Sequence, residues 1–207
     1  MLEKSRDIII VDYGLGNLFS VTKAIEKCGY KPIISSNSKV ILNSSKIVLP
    51  GVGSFSKAMQ ELKKRDLIEI IKMLAMKGVP ILSICLGMQL LLDESEENGL
   101  NEGLSLIQGR VTHLSNFFNT SKDLKIPHIG WSAFECINEE IERSYNIIHN
   151  ISYSDYFYFV HSFHAVPSNP ENIVAKCSYG NILINSIIQK DNIIGCQFHP
   201  EKSGESV

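Results

Sequence analysis

Short apolar runs alternate with amphipathic segments along the first half of the chain. The runs are rich in isoleucine, valine and leucine and end at glycine, proline or polar residues, which predicts β-strands. They occupy residues 7–12, 31–35, 46–49 and 79–84. Between and after them, apolar residues recur at helical spacing, which predicts helices at residues 18–29, 55–62, 67–77 and 86–92. This alternation favours a mainly parallel sheet with helices on both faces.

The second half of the chain changes to β-type runs. These lie at residues 106–114, 126–134, 156–166, 173–179, 184–190 and 193–198. Asp191 and Asn192 predict a hairpin turn between the last two runs. We expect polar connectors at residues 93–102, 116–125 and 139–155, with a helical turn near Glu139. The fold class predicted is therefore α/β: one domain, residues 1–207, with a mainly parallel central sheet flanked by helices and an antiparallel C-terminal extension.

The bulk composition excludes several classes of protein. The 207 residues suffice for one domain with a large core. A net charge of −2, from 20 basic and 22 acidic residues, does not favour a nucleic-acid-binding or membrane protein. We find no long apolar run and no secretory signal pattern, so we expect a cytoplasmic protein. The five cysteines lack a C-x-x-C pair, so we expect most of them to be reduced and buried.

Cys85 stands where the apolar strand at 79–84 gives way to the helical segment at 86–92. A strand, a tight turn and a helix in this order raise a nucleophile above the edge of a sheet. At a helix start, unpaired N–H groups and the helix dipole favour a thiolate, and the same groups can hold an oxyanion. The alternative is a buried structural cysteine, the commoner role of cysteine in an apolar run.

Glycine-rich turns follow two of the predicted strands. The loop at residues 51–53 precedes a predicted helix, so its amides can turn towards a phosphate or an oxyanion, although a plain tight turn is the alternative. This loop and Cys85 would share the carboxyl edge of the sheet, where ligands bind in such folds. The loop at residues 13–17 lacks the third glycine of a dinucleotide-binding turn, because Phe19 takes its place. We expect no nucleotide cofactor.

A thiol that attacks a carbonyl needs a histidine to take its proton and a third group to orient that histidine. His199 follows the apolar run at 193–198, is fixed by Pro200, and has Glu201 two residues on, where a carboxylate can reach back to the ring. His161 and His164 fall on opposite faces of one predicted strand, which argues against a shared metal. The remaining three histidines, His113, His128 and His149, carry no accompanying signal of catalysis.

Five motifs in order resemble those of class I, triad-type glutamine amidotransferases, which have a flavodoxin-like fold. They are PGVGSF at 50–55, CLGMQ at 85–89, PHIGW at 127–131, YFVHSF at 158–163 and QFHPEKSG at 197–204. The resemblance runs from the first strand to residue 204. Within this family, the motifs look most like those of the glutaminase subunit of imidazole glycerol phosphate synthase. Each motif alone would be weak, but their joint occurrence by chance is negligible.

The resemblance implies that glutamine is hydrolysed to glutamate and ammonia through a thioester, and that ammonia passes to a cyclase subunit in a heterodimer of histidine biosynthesis. It implies a catalytic triad of Cys85, His199 and Glu201. The roles implied for other residues are an oxyanion hole from Leu86 with the Val52–Gly53 segment, substrate binding by Gln89, Glu97, His161, Ser162 and Phe163, and a partner interface at Asn17, Tyr158 and Lys202.

The chain departs from the family pattern at two places. Ser83 stands where the family usually has glycine, which we expect to affect packing rather than chemistry. After Gly204 the family carries a helix that packs on the sheet, whereas this sequence stops at Val207. We expect its absence to leave apolar sheet surface exposed.

Three other functions remain open at this stage. A paralogous glutaminase that feeds a surface-sugar amidination pathway would carry the same motifs. A stand-alone cysteine hydrolase of γ-glutamyl bonds would use the same triad without a partner. A non-catalytic flavodoxin-like scaffold would keep Cys85 only as a structural residue, which the accompanying His199 and Glu201 argue against.

Overall fold

The computed structural model describes residues 6–117, 124–137, 151–152 and 154–204. The first half contains strands β1 (Asp7–Val11), β2 (Lys31–Ser35), β3 (Ile47–Leu49) and β4 (Ile81–Ile84). Its helices are α1 (Leu18–Lys27), α2 (Ser38–Leu42), α3 (Phe55–Lys64), α4 (Leu67–Met76) and α5 (Leu86–Leu90). The strands that follow are β5 (Glu94–Ser95), β6 (Asn101–Glu102), β7 (Gly109–His113), β8 (His128–Ile137), β9 (Tyr156–His161), β10 (Phe163–Pro167), β11 (Ile173–Tyr179), β12 (Ile182–Lys190) and β13 (Ile193–Cys196).

Nine of these strands form the central sheet, in the order β2-β1-β3-β4-β13-β12-β11-β8-β9. The strands from β2 to β13 are parallel to their neighbours, and those from β13 to β9 are antiparallel. The predicted fold class is thus confirmed, including its antiparallel extension. The predicted hairpin is also confirmed: Lys190 pairs with Ile193, and Asp191 takes a positive φ of 50° in the turn.

The chain order explains why distant motifs meet. β13 inserts beside β4 in parallel register, with Cys196 opposite Ile84. The residues that follow these two strands therefore leave the sheet at the same edge, as expected for parallel neighbours. Cys85 and the segment after Cys196 consequently become neighbours although more than a hundred positions separate them in the sequence.

One predicted strand proves to be two. The run at 156–166 breaks at Ser162, whose carbonyl accepts a hydrogen bond from the Leu114 amide at 2.9 Å. β9, before the break, pairs with β8, whereas β10, after it, pairs with β7 in a second sheet. The prediction that His161 and His164 lie on opposite faces of one strand was therefore wrong, because the two residues lie in different sheets.

The second sheet, in the order β10-β7-β5-β6, also corrects the prediction for residues 93–102. That acidic segment was expected to be a solvated loop, but Glu94 and Ser95 pair with β7 and with β6. There are two smaller differences from the predicted elements. The helix α2 was not predicted, and the predicted strand at 106–114 begins only at Gly109. The helical turn expected near Glu139 lies outside the described residues.

Two hydrophobic clusters, one on each face, hold the central sheet between helices and the second sheet. α1 is started by Asn17, whose side-chain oxygen accepts a hydrogen bond from the Ser20 amide at 3.3 Å. No helix among the described residues is both long and apolar enough to span a membrane.

Candidate active site

Cys85 occupies the sharp turn between β4 and α5. Its φ of 53° is a left-handed value that side-chain-bearing residues rarely adopt. The turn is held by a 2.7 Å hydrogen bond from its amide to the Cys196 carbonyl on β13, and its own carbonyl accepts from the Gln89 amide at 3.2 Å. The sulfur lies 3.9 Å from the Val160 carbonyl oxygen. The strained backbone directs this side chain towards Val160 on β9.

His199 and Glu201 follow β13 at the same edge. Nδ1 of His199 lies 2.8 Å from Oε1 of Glu201, and both side chains are almost fully buried. The His199 amide donates to the Tyr158 carbonyl at 2.9 Å, and the short 3-10 turn Pro200–Lys202 brings the carboxylate back beneath the ring. Since Nδ1 is occupied, Nε2 is the ring nitrogen left to exchange a proton, and it has no hydrogen-bond partner in the described part of the chain.

The pKa of His199 reflects opposing effects. Burial lowers it, but the Cys85 sulfur and the Glu201 carboxylate raise it by more, so that the pKa is about 9. The Cys85 sulfur is close enough to His199 to raise this pKa, although the two side chains form no hydrogen bond of regular geometry. His199 is thus a stronger base than an ordinary histidine, placed beside a thiol and oriented by a carboxylate.

The loop at residues 50–53 packs directly against the start of α5. A side chain on Gly51 would lie 2.6 Å from the Tyr13 hydroxyl, and one on Gly87 would meet the Leu49 carbonyl oxygen. The Tyr13 hydroxyl also donates to the Pro50 carbonyl at 2.7 Å, and burial raises the pKa of this phenol above its ordinary range. Glycine at both positions lets the loop approach Cys85 closely.

A cavity of about 330 Å³ opens beside Cys85 and His199. Its walls contain every residue that the resemblance assigned to the oxyanion hole and the substrate pocket: Val52, Gly53, Leu86, Gln89, Glu97, His161, Ser162 and Phe163. These residues come from four separate segments of the chain, which the sheet edge and the β9–β10 break collect around one space.

Two polar side chains of the cavity wall are held by hydrogen bonds. Gln89 lies on α5 and its Nε2 donates to the Phe163 carbonyl at 3.1 Å. The carboxylate of Glu97 accepts from the Phe55 amide at the start of α3, at 2.6 Å. Both groups are therefore fixed before any ligand binds.

His161 is held as a neutral ring. Its Nδ1 donates to the Phe163 carbonyl at 2.8 Å, and its Nε2 lies 3.1 Å from Nδ1 of His128. Burial lowers the pKa of His161 to about 3 and that of His128 to about 4. The pair stiffens the corner between β9 and β10 that forms one wall of the cavity.

Four residues of the site were not singled out from the sequence: Pro127, His128, Val160 and Gln197. Each lies inside one of the five motifs, so the motifs themselves carried the signal. His128 was interpreted as having no role in catalysis, and it is indeed a buried, hydrogen-bonded ring one step behind the cavity. Gln197 is fully buried and its Nε2 lies 3.7 Å from the Cys85 sulfur.

The residues expected at a partner interface lie beside the cavity rather than in it. The Lys202 ammonium lies 5.9 Å from the centre of the Tyr158 ring. Asn17 starts α1, a helix that contacts the turn Pro200–Lys202. Within the described ranges, no group of three or more histidine, cysteine, aspartate or glutamate side chains is placed to hold a metal ion.

Comparison with known proteins gives the family. The model of the family described as glutamine amidotransferase class-I matches residues 9–206. The chain belongs to the class-I glutamine amidotransferases. The amidotransferase fold explains the cavity at the carboxyl edge of the parallel strands, and membership confirms the enzyme class that the motifs predicted.

Relatives of this amidotransferase include two bacterial proteins. It is 41% identical to the imidazole glycerol phosphate synthase subunit HisH of Geobacillus thermodenitrificans (strain NG80-2) over 195 residues, 94% of this chain and 88% of that one. It is 43% identical to subunit HisH 1 of Legionella pneumophila (strain Paris) over 198 residues, 96% of this chain and 93% of that one.

Solved structures share the fold at lower identity. The PurLQS structure from Thermotoga maritima superposes with a TM-score of 0.65 at 18% identity, covering 98% of this chain and 90% of that chain. The glutaminase domain of Trypanosoma brucei CTPS with bound acivicin gives a TM-score of 0.64 at 16% identity, covering 96% and 86%.

Proposed function

We propose that this chain is the glutaminase subunit of an imidazole glycerol phosphate synthase, and that it hydrolyses glutamine to glutamate and ammonia for histidine biosynthesis. The observation that carries the proposal is that Cys85 and His199 line one cavity, with the Glu201 carboxylate on Nδ1 of His199. The relatives named as subunits of that synthase, at 41% and 43% identity over nearly the whole chain, support the choice of pathway.

In the first step, Nε2 of His199 takes the proton of the Cys85 thiol, and the sulfur attacks the carboxamide carbon of glutamine. The C–S bond forms while the C=O π electrons move to oxygen and create an oxyanion. When the oxyanion collapses, the C–N bond breaks, and the His199 imidazolium returns its proton to the leaving nitrogen as ammonia. A base with a pKa of about 9 is suited to hold that proton between the two events.

The oxyanion would be held by backbone amides at the junction of two segments. The Leu86 amide opens α5 directly after the nucleophile, and the Val52–Gly53 segment lines the cavity on the facing side. Gly53 has a φ of 105°, and a glycine can leave or enter that conformation without the steric penalty that a side chain would impose. One such donor is typically worth about 3 kcal/mol of barrier.

In the second step, water hydrolyses the thioester. His199 takes a proton from the water, the new C–O bond forms, and the C–S bond breaks to release glutamate and return the Cys85 thiolate, which recovers its proton from His199. Through both steps the Glu201 side chain accepts the hydrogen bond from Nδ1 of His199 and stabilises the imidazolium.

The amino-acid end of glutamine would bind at the far wall of the cavity. The Gln89 side chain and the Glu97 carboxylate are both fixed there by hydrogen bonds and offer oxygens to an ammonium group. Backbone from 161–163 completes the wall. A carboxylate and an amide oxygen in the same cavity as the nucleophile would select an α-amino acid over a simple amide.

The partner would dock on the exposed face of β8 and β9. Trp131 pairs with Tyr158 in register, their rings meet edge to face at 5.7 Å, and Ile129 pairs with Val160, which also lines the cavity. Ile129, Trp131 and Tyr156 are each more than half exposed, with values of 59%, 53% and 56%. This aromatic surface ends where ammonia would be released, as a docking site for an ammonia-consuming subunit requires.

A glutaminase assay with and without the cyclase subunit tests the proposal. We expect low turnover for the isolated chain and a large increase with the cyclase and its nucleotide substrate, because uncoupled hydrolysis would waste glutamine. Cys85→Ala should abolish turnover in both settings. Turnover that survives in Cys85→Ala, or a wild-type chain that the cyclase does not stimulate, contradicts the proposed function.

A further inference from the structure

The Gln197 side chain connects the nucleophile to the wall of the substrate cavity. Its Nε2 lies 3.7 Å from the Cys85 sulfur, and its Oε1 accepts a hydrogen bond from Nε2 of Gln89 at 3.1 Å. Gln197 is fully buried, and Gln89 is 5% exposed. A buried amide that meets a reacting atom with one end and a substrate-facing side chain with the other is placed for more than packing.

The direction of this chain of hydrogen bonds is fixed by a carbonyl. The Phe163 oxygen can only accept, so the nitrogen of Gln89, rather than its oxygen, must face it. The second proton of that nitrogen then points to Gln197, which must present its oxygen to Gln89 and its nitrogen to the sulfur. Turning either amide over would place two donors or two acceptors against each other.

We propose that Gln197 is a further catalytic residue of the glutaminase reaction: its N–H donates to the Cys85 sulfur and stabilises the thiolate. This stabilisation increases when the ammonium group of the substrate binds to Gln89. This inference rests on the proposed function for its substrate. The Val160 carbonyl, 3.9 Å from the sulfur on another side, favours the protonated thiol because it can only accept. Gln197 opposes that preference, since an N–H donor favours the anion.

The link to substrate follows from the hydrogen bonds that Gln89 has already made. Both of its amide protons are used, by Phe163 and by Gln197, so only its carbonyl oxygen is left for the ammonium group of glutamine. A cation on that oxygen polarises the Gln89 amide and strengthens its N–H donors, and the effect passes through Gln197 to the sulfur. Substrate binding thus favours the reactive form of its own nucleophile.

Alkylation of Cys85 by iodoacetamide measures this effect without requiring glutaminase activity, because the thiolate rather than the thiol reacts. The full-length chain is treated at pH 7, and peptide mass spectrometry reads Cys85 separately from the exposed Cys28. Gln197→Met removes both polar ends, and Gln197→Asn keeps an amide that is one methylene too short to reach the sulfur. Both variants should alkylate about tenfold more slowly, as expected for the loss of a hydrogen bond to an ionised group.

Gln189→Met is the matched control. Gln189 is another buried glutamine at the opposite end of the β12–β13 hairpin, where its Nε2 donates to the Asp191 carbonyl at 3.2 Å. This variant should alkylate at the wild-type rate. In steady-state assays with the cyclase, Gln197→Asn should lower kcat with a smaller change in KM, because the lost contact acts on the sulfur.

The outcomes separate this inference from the proposed function. Wild-type alkylation in a folded Gln197→Met or Gln197→Asn protein overturns the role of Gln197, whatever the enzyme's substrate. A slow rate in the Gln189 control as well would overturn it too, because it would make the effect one of general packing. Glutamine turnover that persists in Cys85→Ala would instead contradict the proposed function and leave the alkylation result standing.

Discussion

Oε1 of Glu201 lies 2.8 Å from Nδ1 of His199, and no more than 3% of either side chain is exposed. The other carboxylate oxygen, Oε2, has no hydrogen-bond partner among the described residues. A buried carboxylate with one strong partner is costly unless that partner is charged for part of the reaction cycle. The proposed role of His199, which gains and loses a proton in each step of the reaction, meets that condition.

Glu201→Gln should reduce turnover while leaving the fold in place. The amide keeps the size of the side chain but not its charge, so the pKa of His199 should fall from about 9 towards its ordinary value. We expect kcat to drop on the order of 10²–10³-fold, as orienting carboxylates in such triads contribute at least this much. Lys202→Met changes the neighbouring exposed residue and is the matched control: it should leave the turnover of the isolated chain unchanged. Equal kcat values for Glu201→Gln and wild type would rule out the orienting role.

Acid should destabilise the protein through its buried neutral histidines. Burial, with a smaller contribution from Lys176, lowers the pKa of His164 to about 4, whereas the unfolded chain takes up this proton near pH 6.5. The contribution of neutral His164 to the free energy of unfolding is therefore fully present above pH 6.5 and is lost as the pH falls towards about 4. Nδ1 of His164 has no hydrogen-bond partner within the described chain, so His164→Leu breaks no bond at that atom.

Urea unfolding between pH 7 and pH 4.5 measures the contribution of His164. The midpoint of His164→Leu should fall less steeply with acid than that of wild type. Val166→Ala, on the same strand β10 and without a titratable group, should lower the midpoint by the same amount at every pH. Parallel curves for wild type and His164→Leu would contradict the assignment.

Gly87→Ala should separate the loop at 50–53 from the nucleophile. The added methyl group would meet the backbone carbonyl of Leu49, so α5 must shift away from β3. We expect a loss of about 1–3 kcal/mol in the free energy of unfolding, typical of overpacking, together with a large loss of glutaminase activity. Gly78→Ala has open space but a φ of 76°, so it should lose about 1 kcal/mol and retain its activity. Full activity in Gly87→Ala would show that close contact of the loop is not required.

Local patterns predicted the strand–elbow–helix at Cys85 and the position of His199 after β13, because each depends on residues close in sequence. The break at Ser162 could not be predicted in this way. Tyr156 to Val166 reads as one β-type run, and the choice of two different partner strands, β8 and β7, is made by tertiary contacts. The position of Glu97 has the same origin, since it depends on strand pairs of only two residues, β5 and β6.

The Gln197 side chain illustrates a second limit. Apart from its place in the motif at 197–204, nothing in its local sequence distinguishes Gln197 from Gln189, which is also buried. Only the parallel insertion of β13 beside β4 brings Gln197 to Cys85, whereas Gln189 lies at the far end. Residues whose role depends on long-range register are thus visible to sequence reasoning only through a motif.

Trp131→Ala should impair the response to the cyclase without altering the isolated chain. Trp131 lies on β8, is 53% exposed, pairs with Tyr158 on β9 and is not among the residues that line the cavity. Loss of its ring removes contact area from the proposed docking surface but touches neither Cys85 nor His199. We expect the affinity for the cyclase to fall by about 10-fold or more, as for a central aromatic anchor.

The matched control for this surface is Leu183→Ala. Leu183 is 48% exposed on β12, away from the proposed docking surface, so its loss removes a comparable apolar side chain without affecting the partner. Titration of the cyclase against each variant, with stimulated glutaminase rate as the readout, measures the affinity. Basal turnover should be unchanged in both variants. A Trp131→Ala chain that is stimulated at the same cyclase concentration as the wild type would contradict the proposed docking surface.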